Sequence, residues 1–149
     1  MRTPDQVRWD FVQDWLRKAN SDIQATRILA EEDLDDYEVA TFHAQQAAEK
    51  FIKAYLVRHQ VEFSKTHEIK SLRNLLASTD QSLADELAEA DELTPYAVEY
   101  RYPGDAGDVS RDDATEALRV AERVRTRILA TLEDYLQAGR PNDPTEGSS

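Results

Sequence analysis

From Asp5 to Thr94 the chain contains neither proline nor glycine, and this restricts its possible folds more than any other feature. Proline and glycine are the residues that most strongly interrupt helices, so their scarcity leaves long uninterrupted runs of helix formers. The whole sequence holds four glycines and five prolines, the prolines confined to residues 4, 95, 103, 141 and 144. Within these runs the apolar residues recur at helical spacing. Val12, Trp15, Leu16, Ala19, Ile23 and Thr26 predict a first helix over about residues 4–32. Thr3-Pro4-Asp5-Gln6 has the form of a capping box with proline at the first helical position. Asp35 and Glu38 suggest a second box, opening a helix that runs to about His59. Thr66 is expected to cap a shorter helix with Ile69, Leu72, Leu75 and Leu76 inward. A further helix carries Leu83, Leu87 and Ala90 to about Leu93. Ser110 with Asp113 marks the last helix, whose inward face is Ala114, Ala117, Leu118, Ala121, Val124, Ile128, Leu132 and Tyr135. No segment alternates with the period of a strand. The expected fold is all-α: an antiparallel up-and-down bundle of four main helices plus short extra ones. It is read as one domain over residues 1–138, with residues 139–149, GRPNDPTEGSS, as a disordered tail that has nothing to bury.

Composition narrows the function. The formal net charge is −12, so long-range forces repel nucleic acid unless local basic clusters overcome them. Arg119, Arg123 and Arg127, spaced by four on the last helix, form such a stripe, although Glu116 and Glu122 stand within reach for i,i+3 pairing. The absence of cysteine excludes thiolate chemistry and fits a reducing cytoplasm. No apolar run reaches the ~18 residues of a membrane span, and no secretion signal opens the chain. A soluble cytoplasmic protein is expected.

The densest chemistry lies in FHAQQAAEKFIKAYL, Phe42 to Leu56. At about 100° per residue, Ala44, Ala48, Phe51, Ile52 and Tyr55 share one arc. Gln45, Glu49 and Lys53 line one flank of that arc, while His43 and Lys50 fall together on the other. Amide, carboxylate, ammonium and imidazole groups are costly to desolvate unless each finds a partner. The run is therefore either a buried structural network or a binding surface. Arg101, between a tyrosine-rich turn and the Pro103-Gly104 corner, offers a planar five-donor group suited to phosphate or carboxylate. His67 stands beside an expected helix start, where backbone N–H groups favour anions.

Other chemistries lack their parts. The three histidines, His43, His59 and His67, show no metal-ligand spacing, and no cofactor motif is present. Gly104 and Gly107 lack the strand, helix and lysine of a phosphate loop, and there is no serine elbow. No residue is assigned a catalytic or metal-binding role.

The first helix with Ala19 and Asp22, the run FHAQQAAEKFIKAYL, the later His67 and the corner Tyr100-Arg101-Tyr102-Pro103-Gly104 together resemble the HEPN family, in the family's order, over residues 8 to about 138. The resemblance implies a helical bundle, usually homodimeric. Trp9 and Trp15 add large apolar surface consistent with that. Many bacterial members are encoded beside a small nucleotidyltransferase and act with it as a substrate-binding or toxin–antitoxin partner; others are metal-independent ribonucleases. Those ribonucleases carry an arginine followed four to six residues later by histidine. Here Arg101 is followed by Tyr102, Pro103, Gly104, Asp105, Ala106, Gly107 and Asp108, which supplies no imidazole to move a proton. The resemblance thus implies a non-catalytic protein that binds a nucleotide-like ligand and partners a separate nucleotidyltransferase. Lys50, Lys53 and Arg101 would meet phosphate, His67 would give a hydrogen bond, Tyr102 would stack on a base and Glu49 would orient the cations. A ribonuclease toxin of the same fold, with RNA as substrate, and a purely dimeric interaction module are the rival readings.

Overall fold

The computed structural model describes residues 1–97 and 108–142. Five α-helices account for most of them: α1 (Pro4–Glu31), α2 (Glu38–Arg58), α3 (Ile69–Ala77), α4 (Gln81–Glu86) and α5 (Arg111–Ala138), with a 3₁₀ segment at Ala88–Tyr96. No strand occurs among the described residues. The all-α bundle expected from the sequence is what forms.

Three long helices make the frame, and cross-helix pairs fix their directions. Trp15 meets Lys53, while Thr26 bonds the carbonyl of Ala40, so α1 and α2 run antiparallel. Trp9 packs on Tyr135 and Arg27 pairs with Glu122, so α1 and α5 are antiparallel as well. It follows that α2 and α5 run parallel, and the chain must return between them. That return leg is broken: α3, α4 and the 3₁₀ segment replace one long fourth helix. Asp80 breaks it by capping α4 through the N–H of Leu83. Leu87 then ends α4, and the remaining residues to Tyr96 tighten into 3₁₀ turns that contain Pro95. Arg73 of α3 holds this leg together through a two-pronged bond to Asp91, at 3.0 and 2.7 Å.

The termini of the long helices follow local chemistry where the local signal is strong. Thr3 and Gln6 form the reciprocal box at the start of α1, and Ser110 with Asp113 does so at α5. Each such cap stabilises by about 1 kcal/mol. The box expected at Asp35 and Glu38 does not form. Tyr37 is the residue before α2 and offers no side-chain cap; Asp36 instead accepts the N–H groups of Glu38 and Val109. Tyr37 adds its own N–H to the carbonyl of Val109, so a contact with the segment before α5 replaces the local cap. Thr66 likewise does not cap α3 directly. It accepts the N–H of Glu68, while the first helical N–H, that of Ile69, goes to Thr94 in the 3₁₀ segment.

The tail expected from Gly139 begins with contacts rather than without them. Gly139 ends α5 at φ +79, a left-handed setting that favours glycine. Beyond it Arg140 pairs with Asp10, and the carbonyl of Pro141 accepts a bond from Gln6 at 2.9 Å. The polar Gln6 of the capping box thus straps the segment that follows α5 to the start of α1. Residues 143–149 lie outside the described residues.

α2 is the central element. Thirteen of its twenty-one residues are buried, which means neighbours cover it on more than one side. Ala40, Ala44, Ala47, Ala48 and Ala54 let α1 and α5 approach its backbone, while Phe51, Ile52 and Leu56 fill the space between. The core continues with Leu16 and Ile23 of α1, Leu72 and Leu76 of α3, and Val124, Ile128 and Leu132 of α5. Truncating the largest fully buried side chain tests this centre. Phe51→Ala should destabilise the fold by about 3–5 kcal/mol in urea unfolding, where an exposed site such as Phe11→Ala should change it little.

A carboxylate-anchored polar face on α2

The polar residues of α2 sort into two sets, each built on one carboxylate. The first centres on Glu49, whose side chain is 2% exposed. Its Oε1 accepts from Lys53 Nζ at 2.6 Å, one helical turn on. Its two oxygens also face His67 Nδ1 at 3.1 and 2.9 Å. Gln45 donates to Glu49 Oε2 at 2.9 Å and to the backbone carbonyl of His67 at 3.2 Å. Gln46 then donates to the Gln45 amide oxygen, so the chain of bonds reaches the outer edge of the helix. Lys53 is itself enclosed, with its ammonium 5.3 Å from the ring centre of Trp15 and 5.7 Å from that of Phe63. Those faces attract a cation through their quadrupole and replace water that burial removes. The sequence explains the placement: Gln45, Glu49 and Lys53 step by four along one stripe, and His67 is delivered by the turn before α3.

The second set centres on Asp22 of α1. Its Oδ1 meets His43 Nδ1 at 2.8 Å and its Oδ2 meets Lys50 Nζ at 2.6 Å. Thr26, fully buried one turn further, donates to the carbonyls of Asp22 or Ala40 and holds the two helices in register. The two sets share a plan. Each buried carboxylate takes one lysine and one imidazole Nδ1, and the pairs lie on opposite flanks of the same helix.

A carboxylate only accepts, so each Nδ1 that faces one carries the hydrogen in the neutral ring. That fixes the tautomer and leaves Nε2 as the free acceptor. The side chain of His67 is 43% exposed and that of His43 29%, while Lys50 is 21% exposed. Lys53, at 8%, is closed off from solvent.

The site residues expected from the sequence are thus divided. Glu49, Lys53 and His67 come together as one network. Lys50 belongs to the other, beside Asp22 and His43. Arg101 and Tyr102, with the proline corner, lie outside the described residues. Asp22, Trp15, Phe63 and Gln45 complete the arrangement and were not among the expected site residues. Asp22 left a signal: it falls on the buried stripe of α1 between Ala19 and Thr26, where an acid needs a partner.

The chain's similarities agree with the all-α fold. The family model for the HEPN domain matches residues 12–132. The chain belongs to the HEPN domain family. Among solved structures it is similar to TT1696 from Thermus thermophilus, at 29% identity and a TM-score of 0.61, over 78% of this chain and 94% of that one. It is also similar to ST0689, an archaeal HEPN homologue, at 24% identity and a TM-score of 0.62, over 81% of this chain and 97% of the other. No curated protein matches it.

One further expectation about this HEPN domain is resolved by its ion pairs. The arginine stripe of α5 is neutralised by acids. Arg119 bonds Glu116 and Glu89, Arg123 faces Glu89 at 3.6 Å, and Arg127 pairs with Glu86 at 2.6 Å. Glu122 turns to Arg27 of α1 instead. Among the described residues no helix is long and apolar enough to cross a membrane, and no cluster of three or more potential ligands could hold a metal ion.

Breaking one half of the buried pair exposes its cost. Glu49→Leu leaves Lys53 buried beside two rings without its carboxylate and should cost about 3–5 kcal/mol. Glu49→Leu with Lys53→Met should recover most of that loss in the same urea titration, because two apolar groups replace two charges. His59 provides a separate measure. It stacks on Tyr55 at 4.3 Å, and burial, then the nearby Arg58, push its pKa below 6.5. The unfolded chain therefore takes up the proton first, and the stability this ring allows above pH 6.5 is lost as pH falls through its folded value. His59→Gln should flatten the fall of Tm with decreasing pH below 6.5.

Proposed function

We propose that this HEPN protein is a binding partner rather than a nuclease: it takes a nucleotide-like, phosphate-bearing ligand and works with a separate nucleotidyltransferase, in the manner of a toxin–antitoxin pair. The observation that carries the reading is the imidazole of His67, held by its Nδ1 on a buried carboxylate while 43% of the side chain stays open. A ring oriented in this way presents one polar atom to a ligand at little entropic cost. Lys50 supports it, since an ammonium has three donors and Asp22 is the one partner found for it among the described residues. Lys53 is enclosed, so its part is to hold the Glu49 carboxylate, and through it the imidazole, in place. Arg101 would add a second cation for phosphate and Tyr102 a ring to stack on a base. The missing histidine after Arg101 argues against RNA cleavage by the arginine–histidine route. A homodimer is part of the proposal, supported by Phe11, Ile28 and Val39, which are more than half exposed.

A second reading has its own support. Both lysines already sit 2.6 Å from a carboxylate, as they would if the polar face existed only to complete a dimer seam. Thermal unfolding with nucleoside triphosphates separates the two. A binder should gain stability with ligand, about 2.7 kcal/mol at a hundredfold excess over Kd, and lose that gain in His67→Ala and Arg101→Ala. No gain at millimolar ligand, with the protein alone and with a nucleotidyltransferase added, would set the binding reading aside. Loss of dimer without any ligand effect in Lys50→Ala would favour the seam. Cleavage of structured RNA that disappears in Arg101→Ala would favour the nuclease.

A further inference from the structure

We propose that His67 is a phosphoryl-acceptor site: its Nε2 accepts a phosphoryl group from a small anionic donor, with Glu49 stabilising the product. Three features of the described structure meet at this ring and at neither other histidine. First, Nδ1 faces both oxygens of Glu49, at 2.9 and 3.1 Å, which fixes the hydrogen on Nδ1 and the lone pair on Nε2. Second, the backbone of His67 is tied by Gln45, which bonds its carbonyl and Glu49 alike, so ring and carboxylate keep a constant geometry. Third, the side chain is 43% exposed, and no protein group bonds Nε2 among the described residues. His43 has the first feature, but it shares Asp22 with Lys50 and is less open. His59 has no carboxylate bond and lies against Tyr55.

The step balances without an outside base. With phosphoramidate as donor, the Nε2 lone pair attacks phosphorus, a nitrogen–phosphorus bond forms, the donor's own nitrogen–phosphorus bond breaks, and ammonia leaves. The ring becomes an imidazolium that keeps its Nδ1 hydrogen, and the positive charge that develops is met by the Glu49 carboxylate. Because the carboxylate is buried and already in position, it needs no reorganisation as that charge appears. Lys65 and Lys70, exposed on either side of His67 in the sequence, bring positive charge to the segment that would carry the new dianion.

The inference goes beyond the proposed ligand binding and does not depend on it, since the probe carries no nucleoside. The full chain is incubated with phosphoramidate at about pH 8, where free imidazoles are neutral, and followed by intact mass and phosphorus NMR, with peptide mapping for position. The expected product is a single Nε2-phosphohistidine at His67, formed about tenfold faster than label at His43 or His59, the gain expected from one charge-assisted hydrogen bond to the transition state. His67→Gln should remove it. Glu49→Gln should reduce the rate to that of the other histidines; if that variant fails to fold, nitrogen NMR of the native protein gives the same decision by showing whether His67 holds its hydrogen on Nδ1. Label spread evenly over the three histidines, label on His67 Nδ1, or a His67 ring with its hydrogen on Nε2 would each overturn the proposal. A chain that is labelled at His67 yet gains no stability from nucleotides would keep this inference and discard the ligand proposed above.

Discussion

The carboxylate of Glu49 is the constraint around which the rest of the site is arranged. It sits near the middle of the most buried helix, where an unpaired charge would be costly. Its partners come from two places: Lys53 and Gln45 on its own helix, and His67 from the turn before α3. Lys53 then needs its own surroundings, which Trp15 of α1 and Phe63 of the α2–α3 connection provide. One ionised group thereby commits α1, α2 and the connection to a single arrangement. Such a pair adds little net stability compared with apolar residues of the same shape. Its effect here is to make alternatives worse, since any shift that parts Glu49 from Lys53 strands two charges in the core.

The polar face also explains how a strongly acidic molecule carries cations beside a candidate ligand site. Over the whole chain acids exceed bases by twelve. Within the two carboxylate sets the count is even, because Asp22 of α1 and Glu49 match Lys50 and Lys53. The ammonium groups are therefore held in place by local pairs and are not drawn toward the acidic surface elsewhere. The same principle operates on α5, where Glu86, Glu89 and Glu116 meet the arginine stripe. There the side chains are open to solvent, the pairs contribute little, and what remains is a mixed-charge surface.

Much of the frame was legible in the sequence because its signals are local. The stretch from Asp5 to Thr94 without proline or glycine permits helix, and the apolar spacing assigns the faces. The boxes at Thr3 and Ser110 formed because each closes within four residues. The box at Asp35 did not, since Asp36 and Tyr37 found Val109, about seventy residues further along the chain. The same division holds at the site. Glu49 and Lys53 are one turn apart and could be paired from spacing alone. Asp22 with Lys50, or Lys53 with Trp15 and Phe63, are meetings across helices that no period records. Nor could spacing show that Lys50 and Lys53, three residues apart, would answer to different carboxylates.

That division of the lysines has a consequence for register. A helix packed only through alanines can slide along its neighbour at small cost, because one small apolar residue resembles the next. α2 carries such a surface in its buried alanines Ala40, Ala44, Ala47 and Ala48. A slip of one turn, about 5.4 Å, would carry Lys50 and His43 away from Asp22 and draw Lys53 out from between Trp15 and Phe63. Thr26 would lose the carbonyl of Ala40 in the same movement. The two carboxylate sets therefore act as independent stops on opposite flanks of one helix. They also hold the imidazoles of His43 and His67 at fixed positions on its outer side. The close packing of small residues and the placement of the chemistry are thus properties of the same alignment.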